Sequence, residues 1–379
     1  MLKKRLFTPG PTSVPEEILL EMASPIMHHR TDEFKKIAES VLKDLKYIFQ
    51  TENDVIILSS SGTGAMESAV VNFLSKGDKV IVVSGGKFGE RFKEISVSFG
   101  LNLVPIEVEW GKKLNPEVIQ KTIDKHPDAK ALFTTLCETS TGTQFEIDKF
   151  GKIVSQYPDM LLVVDAISSL GAVPCLTDQW GIDCLITGSQ KALMLPPGLS
   201  FISISEKAWK KSETSDLPKY YFDLKKYRKA VSKYDFPYTI PVSLIVGLQK
   251  SLSLMKDIGI ETIWDQHTRR ADATRAAFEE IDLKIYSESP SNALTAVMLP
   301  ENADGEKLVK LLRSKYGISI AGGQDTLKGK IMRISHLGWQ DDFDVLTVIS
   351  AMGVGLAEIG FPVDIEKGLK VARKILFSQ

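Results

Sequence analysis

Three short stretches of this chain hold residue types that do chemistry. Gly188-Ser189-Gln190-Lys191 follows Asp183-Cys184-Leu185-Ile186-Thr187, an apolar run that reads as a buried strand. A lysine at the end of a core strand is desolvated, which disfavours its ammonium form, and an amine with a lowered pKa is a nucleophile suited to Schiff-base chemistry. Reaching out to solvent is the plainer alternative for such a lysine. Asp165 directly follows Leu161-Leu162-Val163-Val164. A carboxylate placed there needs a cationic partner, or else it caps a helix over 166–170. Ser59-Ser60-Ser61-Gly62-Thr63-Gly64-Ala65 joins a strand to a helix start. Small residues let the backbone approach an anion, and the unpaired N–H groups and dipole of the first turn favour its charge. A plain turn with an N-cap fits the same residues. The stretch is neither a Walker A loop nor GxGxxG.

Such residues need a scaffold that brings them to one edge, and the pattern around them supplies it. Strands are predicted at 55–58, 79–83, 103–108, 131–135 and 161–164. Helices over 65–74, 88–99, 116–124 and 147–157 separate them. Continuous Val/Ile/Leu runs alternating with helices describe a mostly parallel sheet covered on both faces, with ligands at the carboxyl ends of the strands. The three stretches lie just after strands. A further strand over 199–203 is expected to return antiparallel.

The 379 residues, 43% hydrophobic and 25% charged, describe an ordinary globular chain too long for one core, so two domains are expected. A net charge of −1 and the lack of basic runs mixed with aromatics argue against nucleic acid. No apolar stretch has the length of a membrane span, and no secretory signal follows Met1-Leu2-Lys3-Lys4-Arg5-Leu6, so no membrane partner and a cytoplasmic location are expected. Cys137, Cys175 and Cys184 match no metal or redox spacing, and the adjacent His28 and His29 point different ways on most backbones, so no metal is expected.

Taken together, these motifs carry a resemblance. The chain resembles the class V aminotransferases of the pyridoxal-phosphate (PLP) fold-type I superfamily over nearly its whole length. The likeness runs through Thr8-Pro9-Gly10-Pro11-Thr12, Ser61-Gly62-Thr63-Gly64-Ala65-Met66-Glu67, Glu138-Thr139-Ser140-Thr141-Gly142, Val164-Asp165-Ala166, Gly188-Ser189-Gln190-Lys191 and Met332-Arg333-Ile334. Within the family it looks most like the serine–pyruvate and alanine–glyoxylate aminotransferases. It also looks like the branch historically labelled soluble hydrogenase small subunit, through Gly86-Lys87-Phe88-Gly89-Glu90-Arg91 and 321–330. The resemblance implies an α/β, aspartate aminotransferase-like fold, with a large, mostly parallel seven-stranded sheet domain and a smaller α+β C-terminal domain. It implies a homodimer with active sites at the subunit interface.

The resemblance also implies roles for individual residues. Lys191 would hold PLP covalently and shuttle a proton, Asp165 would pair with the ring nitrogen, and Phe88 and Ile167 would cover the two ring faces. Thr139 would meet the ring hydroxyl. Ser61, Gly62, Thr63 and Gln190 would hold the phosphate, joined by Thr239 of a second subunit. Arg333 would fork the substrate carboxylate and Gly10 would close over it. Some relatives place a tyrosine where Phe236 stands, leaving that phosphate contact to Thr239. Small amino acids (serine or alanine) and 2-oxo acids (glyoxylate or pyruvate) would react in ping-pong fashion. Aspartate or an aminophosphonate as donor, and a hydrogenase-associated redox subunit, are the alternatives.

The remaining expectations concern the flanks and the C-terminal part. Residues 1–20 form an N-terminal arm that packs on a body or a partner subunit, with Ser13 capping a helix begun at 14–17. Residues 21–258 form the large domain and 259–379 the small one. The segment 220–238 reads as an irregular surface crossover, and 283–286 and 293–298 as strands. A helix is expected at 306–315, a strand at 331–335 and a helix at 342–359.

Overall fold

The computed structural model describes residues 2–377. Seven strands form the main sheet: β1 (Asp54–Leu58), β2 (Lys79–Ser84), β3 (Asn102–Glu107), β4 (Ala131–Thr135), β5 (Leu161–Asp165), β6 (Cys184–Gly188) and β7 (Ser200–Ile204). Their order is β1-β7-β6-β5-β4-β2-β3, and only β7 runs antiparallel to its neighbours. The other six therefore end at a common edge. Within each apolar run, alternate residues serve opposite faces. Ile81, Val83, Leu162 and Val164 enter one core, whereas Val80, Val82, Leu161 and Val163 enter the other. Burial on both sides explains why these strands read as unbroken hydrophobic runs.

A second sheet, with strands β8 (Leu294–Met298), β9 (Ala321–Gly322) and β10 (Ile331–Ser335), is antiparallel with β10 in the middle. Its core gathers Val297, Ile334, Phe278, Val348 and Met352. The helices Val242–Ile258 and Ile260–Glu279 meet at Gly259 and join the two sheets. Phe7 is buried in that second core, and Arg5 and Leu6 pair in parallel with Ile318 and Ser319. Thus the start of the arm docks on the C-terminal part of its own chain.

Several expectations need correction. The segment at 220–238 is not irregular throughout, because Leu224–Val231 is a helix capped by the Asp223 side chain. Leu224 and Tyr227 form its buried face. Lys225, Lys226, Arg228 and Lys229 are exposed around them. Residues 283–286 make no strand, only an isolated bridge from Ile285 to Val297. Pro15, not Ser13, occupies the N-cap of the helix Glu16–Met22, and no side chain caps it. The helix expected at 306–315 is α-helical only over Gly305–Leu311 and widens into a π turn over Leu312–Tyr316. Asp165 caps no helix, since only a turn over 167–169 follows it.

Candidate active site

The six co-directional strands deliver the chemistry to one edge. Asp165 is the last residue of β5, and Lys191 comes three residues after β6 ends. The turn after β1 starts the helix Gly62–Phe73, and the turn after β2 starts the helix Lys87–Ser98 bearing Phe88. Glu138 and Thr139 follow β4.

Lys191 is buried, and its Nζ donates to the Pro9 carbonyl. Thr12 Oγ1 donates to the Lys191 carbonyl at 3.0 Å. Gly10 lies directly over the lysine: a Cβ there would come within 2.5 Å of Cε and Nζ, and its φ of +114° is one that glycine tolerates. Burial pushes the Lys191 amine down from 10.5 to about 8, against the attraction of Asp165. In the apoprotein, capture of an aldehyde by this amine is therefore expected to accelerate as pH rises through about 8 and then level off. A profile centred on the ordinary lysine value of 10.5 would show that the amine is solvated instead.

Asp165 is equally sequestered, 4% exposed. Ile167 N–H donates to its Oδ1 at 2.8 Å, and burial pushes its carboxyl up from 3.8 to about 7. Among the described residues it forms no ion pair. A buried carboxylate without a cation is a group awaiting one.

The turn after β1 has the features of an anion site. Ser61 is the N-cap residue of Gly62–Phe73, yet its side chain makes no capping bond; Gly64 N–H donates to the Ser61 carbonyl at 2.9 Å, while the N–H groups of Gly62 and Thr63 make no bond among the described residues. Ile167 packs onto Gly62 so closely that a Cβ there would lie 2.3 Å from its Cδ1. Gln190 lies two residues after β6, and its Oε1, an acceptor, is buried with no hydrogen-bond partner among the described residues.

On the other side, Arg333 comes from the middle of β10 in the second sheet and is 7% exposed. Its Nε donates to the Gly322 carbonyl at 2.9 Å and its Nη1 to the Thr139 carbonyl at 3.0 Å. Two carbonyls thus set the plane of the fork. Thr139 also donates from Oγ1 to Ser168 Oγ at 2.7 Å, so one residue links the Arg333 side to the Asp165 loop.

Direct contacts thus join Asp165 to Ile167, Ile167 to Gly62 of the phosphate turn, and Thr139 to both Arg333 and Ser168, while Gly10 covers Lys191, whose amine feels the charge of Asp165. Thr239 is not part of this assembly. It is exposed and lines a surface cleft with His28 and His29. Phe236 is buried in this chain's own core beside Phe34. Tyr238 stacks on Tyr221 at 5.0 Å.

Two participants escaped the sequence reading, although both lie inside quoted motifs. Glu138 is fully buried, and its carboxylate accepts from Phe88 N–H (3.1 Å), Gly89 N–H (3.0 Å), Ser140 N–H (3.1 Å) and Ser140 Oγ (2.6 Å). It anchors the start of the Phe88 helix; burial raises its pKa, while these bonds oppose the rise. Arg91 lies one turn beyond Phe88, its guanidinium carbon 5.1 Å from the ring centroid, with Nη1 donating to Thr63 Oγ1 at 3.2 Å. The i, i+3 spacing from Phe88 was the available signal.

The family model described as aminotransferase class-V matches residues 6–343. This chain is a class V aminotransferase. It is 43% identical to a protein named soluble hydrogenase, small subunit, of Synechococcus sp. (strain PCC 6716), over 95% of this chain and 94% of that one. It is 34% identical to a serine–glyoxylate aminotransferase of Methylorubrum extorquens, over 99% of this chain and 96% of the relative. Its fold matches the crystal structure of ureidoglycine–glyoxylate aminotransferase from Bacillus subtilis with a TM-score of 0.94 at 26% identity, over 99% and 98% of the two chains. The class V aminotransferase fold is PLP fold type I, and its cofactor is pyridoxal phosphate. The residues present fit that group. Asp165 is a buried acid lacking a cation, Lys191 is a buried amine with a lowered pKa, and the Ser61–Thr63 turn offers free N–H groups. In this aminotransferase Cys137, Cys175 and Cys184 are buried and free, and among the described residues no three His, Cys, Asp or Glu side chains group as a metal site. No helix of the described residues is long and apolar enough to cross a membrane.

Proposed function

We propose that this aminotransferase moves the amino group of a small amino acid, serine or alanine, to glyoxylate or pyruvate. The supply of cations at the site supports this reading most directly. Arg333 offers one fork for one α-carboxylate, and Arg91, the other guanidinium, is held against Thr63 at the phosphate turn. Lys87, which precedes Phe88, is engaged by Glu90 and Asp325, each at 2.7 Å. A donor with a second carboxylate would find that ammonium already paired. The serine–glyoxylate name of a relative points the same way.

In this reading Lys191 would hold PLP covalently, and its Nζ, when free, would take up and carry the proton lost from the donor's Cα. Asp165 pairs with the ring nitrogen, Phe88 and Ile167 hold the ring between them, and Thr139 meets the ring hydroxyl. Ser61, Gly62, Thr63 and Gln190 hold the phosphate, with Thr239 of a second copy in a homodimer. Arg333 fixes the substrate carboxylate bidentately, a geometry that lysine lacks. Gly10, which has no side chain to clash with the lysine, closes over that carboxylate. When bound, PLP supplies an electron sink for the charge left at Cα.

The visible spectrum of the purified protein, recorded before and after each amino acid without acceptor, tests the proposal. A yellow band bleached by L-serine or L-alanine is the expected result. Preferential bleaching by L-aspartate would overturn the small-donor reading and leave the aminotransferase assignment standing.

A further inference from the structure

We propose that Arg91 is a binding residue for the phosphate of the cofactor, contributing a guanidinium beside the first turn of the helix Gly62–Phe73. The proposal rests on the PLP reading above and deepens it. Arg91 sits between two parts of the site that come from different helices. Its Nη1 donates to Thr63 Oγ1 at 3.2 Å, and its guanidinium carbon lies 5.1 Å from the Phe88 ring centroid. Thr63 is the second residue of the helix whose N-cap side chain leaves the N–H groups of Gly62 and Thr63 free. The cation therefore stands where helix dipole and N–H groups already favour an anion.

Among the described residues Arg91 enters no ion pair, and Glu90 beside it is engaged by Lys87 at 2.7 Å. Arg91 is half-buried, so water solvates it only in part. A guanidinium in that state is stabilised by an anion that offers several acceptor oxygens, and a tetrahedral phosphate presents them in pairs to the fork. The charge of Arg91 also reaches the reacting groups, since it is among the influences that lower Lys191 and Asp165. One cation at the phosphate end would thus favour the uncharged amine at Lys191 and the ionised acid at Asp165.

The test is equilibrium binding to the apoprotein, followed by absorbance, of PLP and of pyridoxal, which lacks the phosphate. Arg91→Ala is expected to weaken PLP about 10- to 100-fold, the scale of a hydrogen bond to a charged group, and to leave pyridoxal within about 2-fold. Arg91→Lys should recover only part of the loss. Equal weakening of both ligands, or no weakening of either, would overturn the proposal. A role only in holding Thr63 is separated by a double-mutant cycle. If Thr63→Val reproduced the whole Arg91→Ala effect and the double variant added nothing, Arg91 would be a positioning residue and the proposal would fail. Unsubstituted protein that bound neither ligand would bring down the cofactor reading itself. That failure is distinct from a loss confined to the variants.

Discussion

Lys191→Ala is expected to lower the rate of half-transamination, measured in single turnover with saturating donor, by at least about 10⁴-fold. The substitution removes both the group proposed to hold the cofactor and the group proposed to carry the Cα proton. The two losses fall on different steps, so no single compensation restores the rate. Exogenous methylamine should return part of it by replacing the proton carrier, whereas it cannot rebuild the link to the protein. The apoprotein itself should not be weakened. With a folded pKa near 8 against 10.5 in water, Lys191 destabilises the apoprotein fully below about pH 8, and the penalty fades as pH climbs toward 10.5. The variant should therefore melt at or above the temperature of the parent apoprotein at neutral pH. Activity within tenfold of the parent would remove Lys191 from the chemistry.

Asp165→Asn is the second large effect, expected at about 10²- to 10³-fold in kcat. Asparagine keeps the shape and can still accept from Ile167 N–H, bonded to Asp165 at 2.8 Å, but lacks the charge proposed to face the ring nitrogen. Here the pH dependence of the stability change is opposite to that at Lys191. A carboxyl raised from 3.8 to about 7 weakens the folded apoprotein above about pH 7 and not below about 4. The variant's apoprotein should thus gain stability above neutrality and lose that gain as pH falls. A carbocyclic PLP analogue without the ring nitrogen supplies the control. With it, parent and variant should react at similar rates, and a difference as large as with PLP would detach Asp165 from that nitrogen.

The main sheet was legible because each parallel strand is a short apolar run, most of them separated by helices, and the reactive residues follow those runs directly. The C-terminal part was harder. The helix Ile365–Phe377 buries Gly368, Ala372 and Leu376, so two of the three residues on its contact face are small. The residues at 283–286 have the alternation of a strand but pair only at Ile285. Within the site, Lys191 and Asp165 announced themselves by type and place. The buried bonds of Glu138 to the Phe88 helix and of Lys191 to the Pro9 carbonyl join residues far apart in sequence, and no local pattern signals them. Thr239 carried a signal in its motif, but within one chain it stands apart from the other site residues.

The docking of the arm also sets an order of events during synthesis. Arg5 and Leu6 emerge from the ribosome early, but their partners Ile318 and Ser319 are made near the end. The bond from Ser335 N–H to the Phe7 carbonyl, at 2.9 Å, waits later still. At usual elongation rates the interval between Lys191 and that last partner is on the order of ten seconds. Throughout it, Pro9 and Gly10 are held over the lysine only by the bonds of Pro9 and Thr12 to Lys191 itself. The newborn chain can therefore form its main sheet before the arm is docked, and the cover is fixed only once Ser335 has been made.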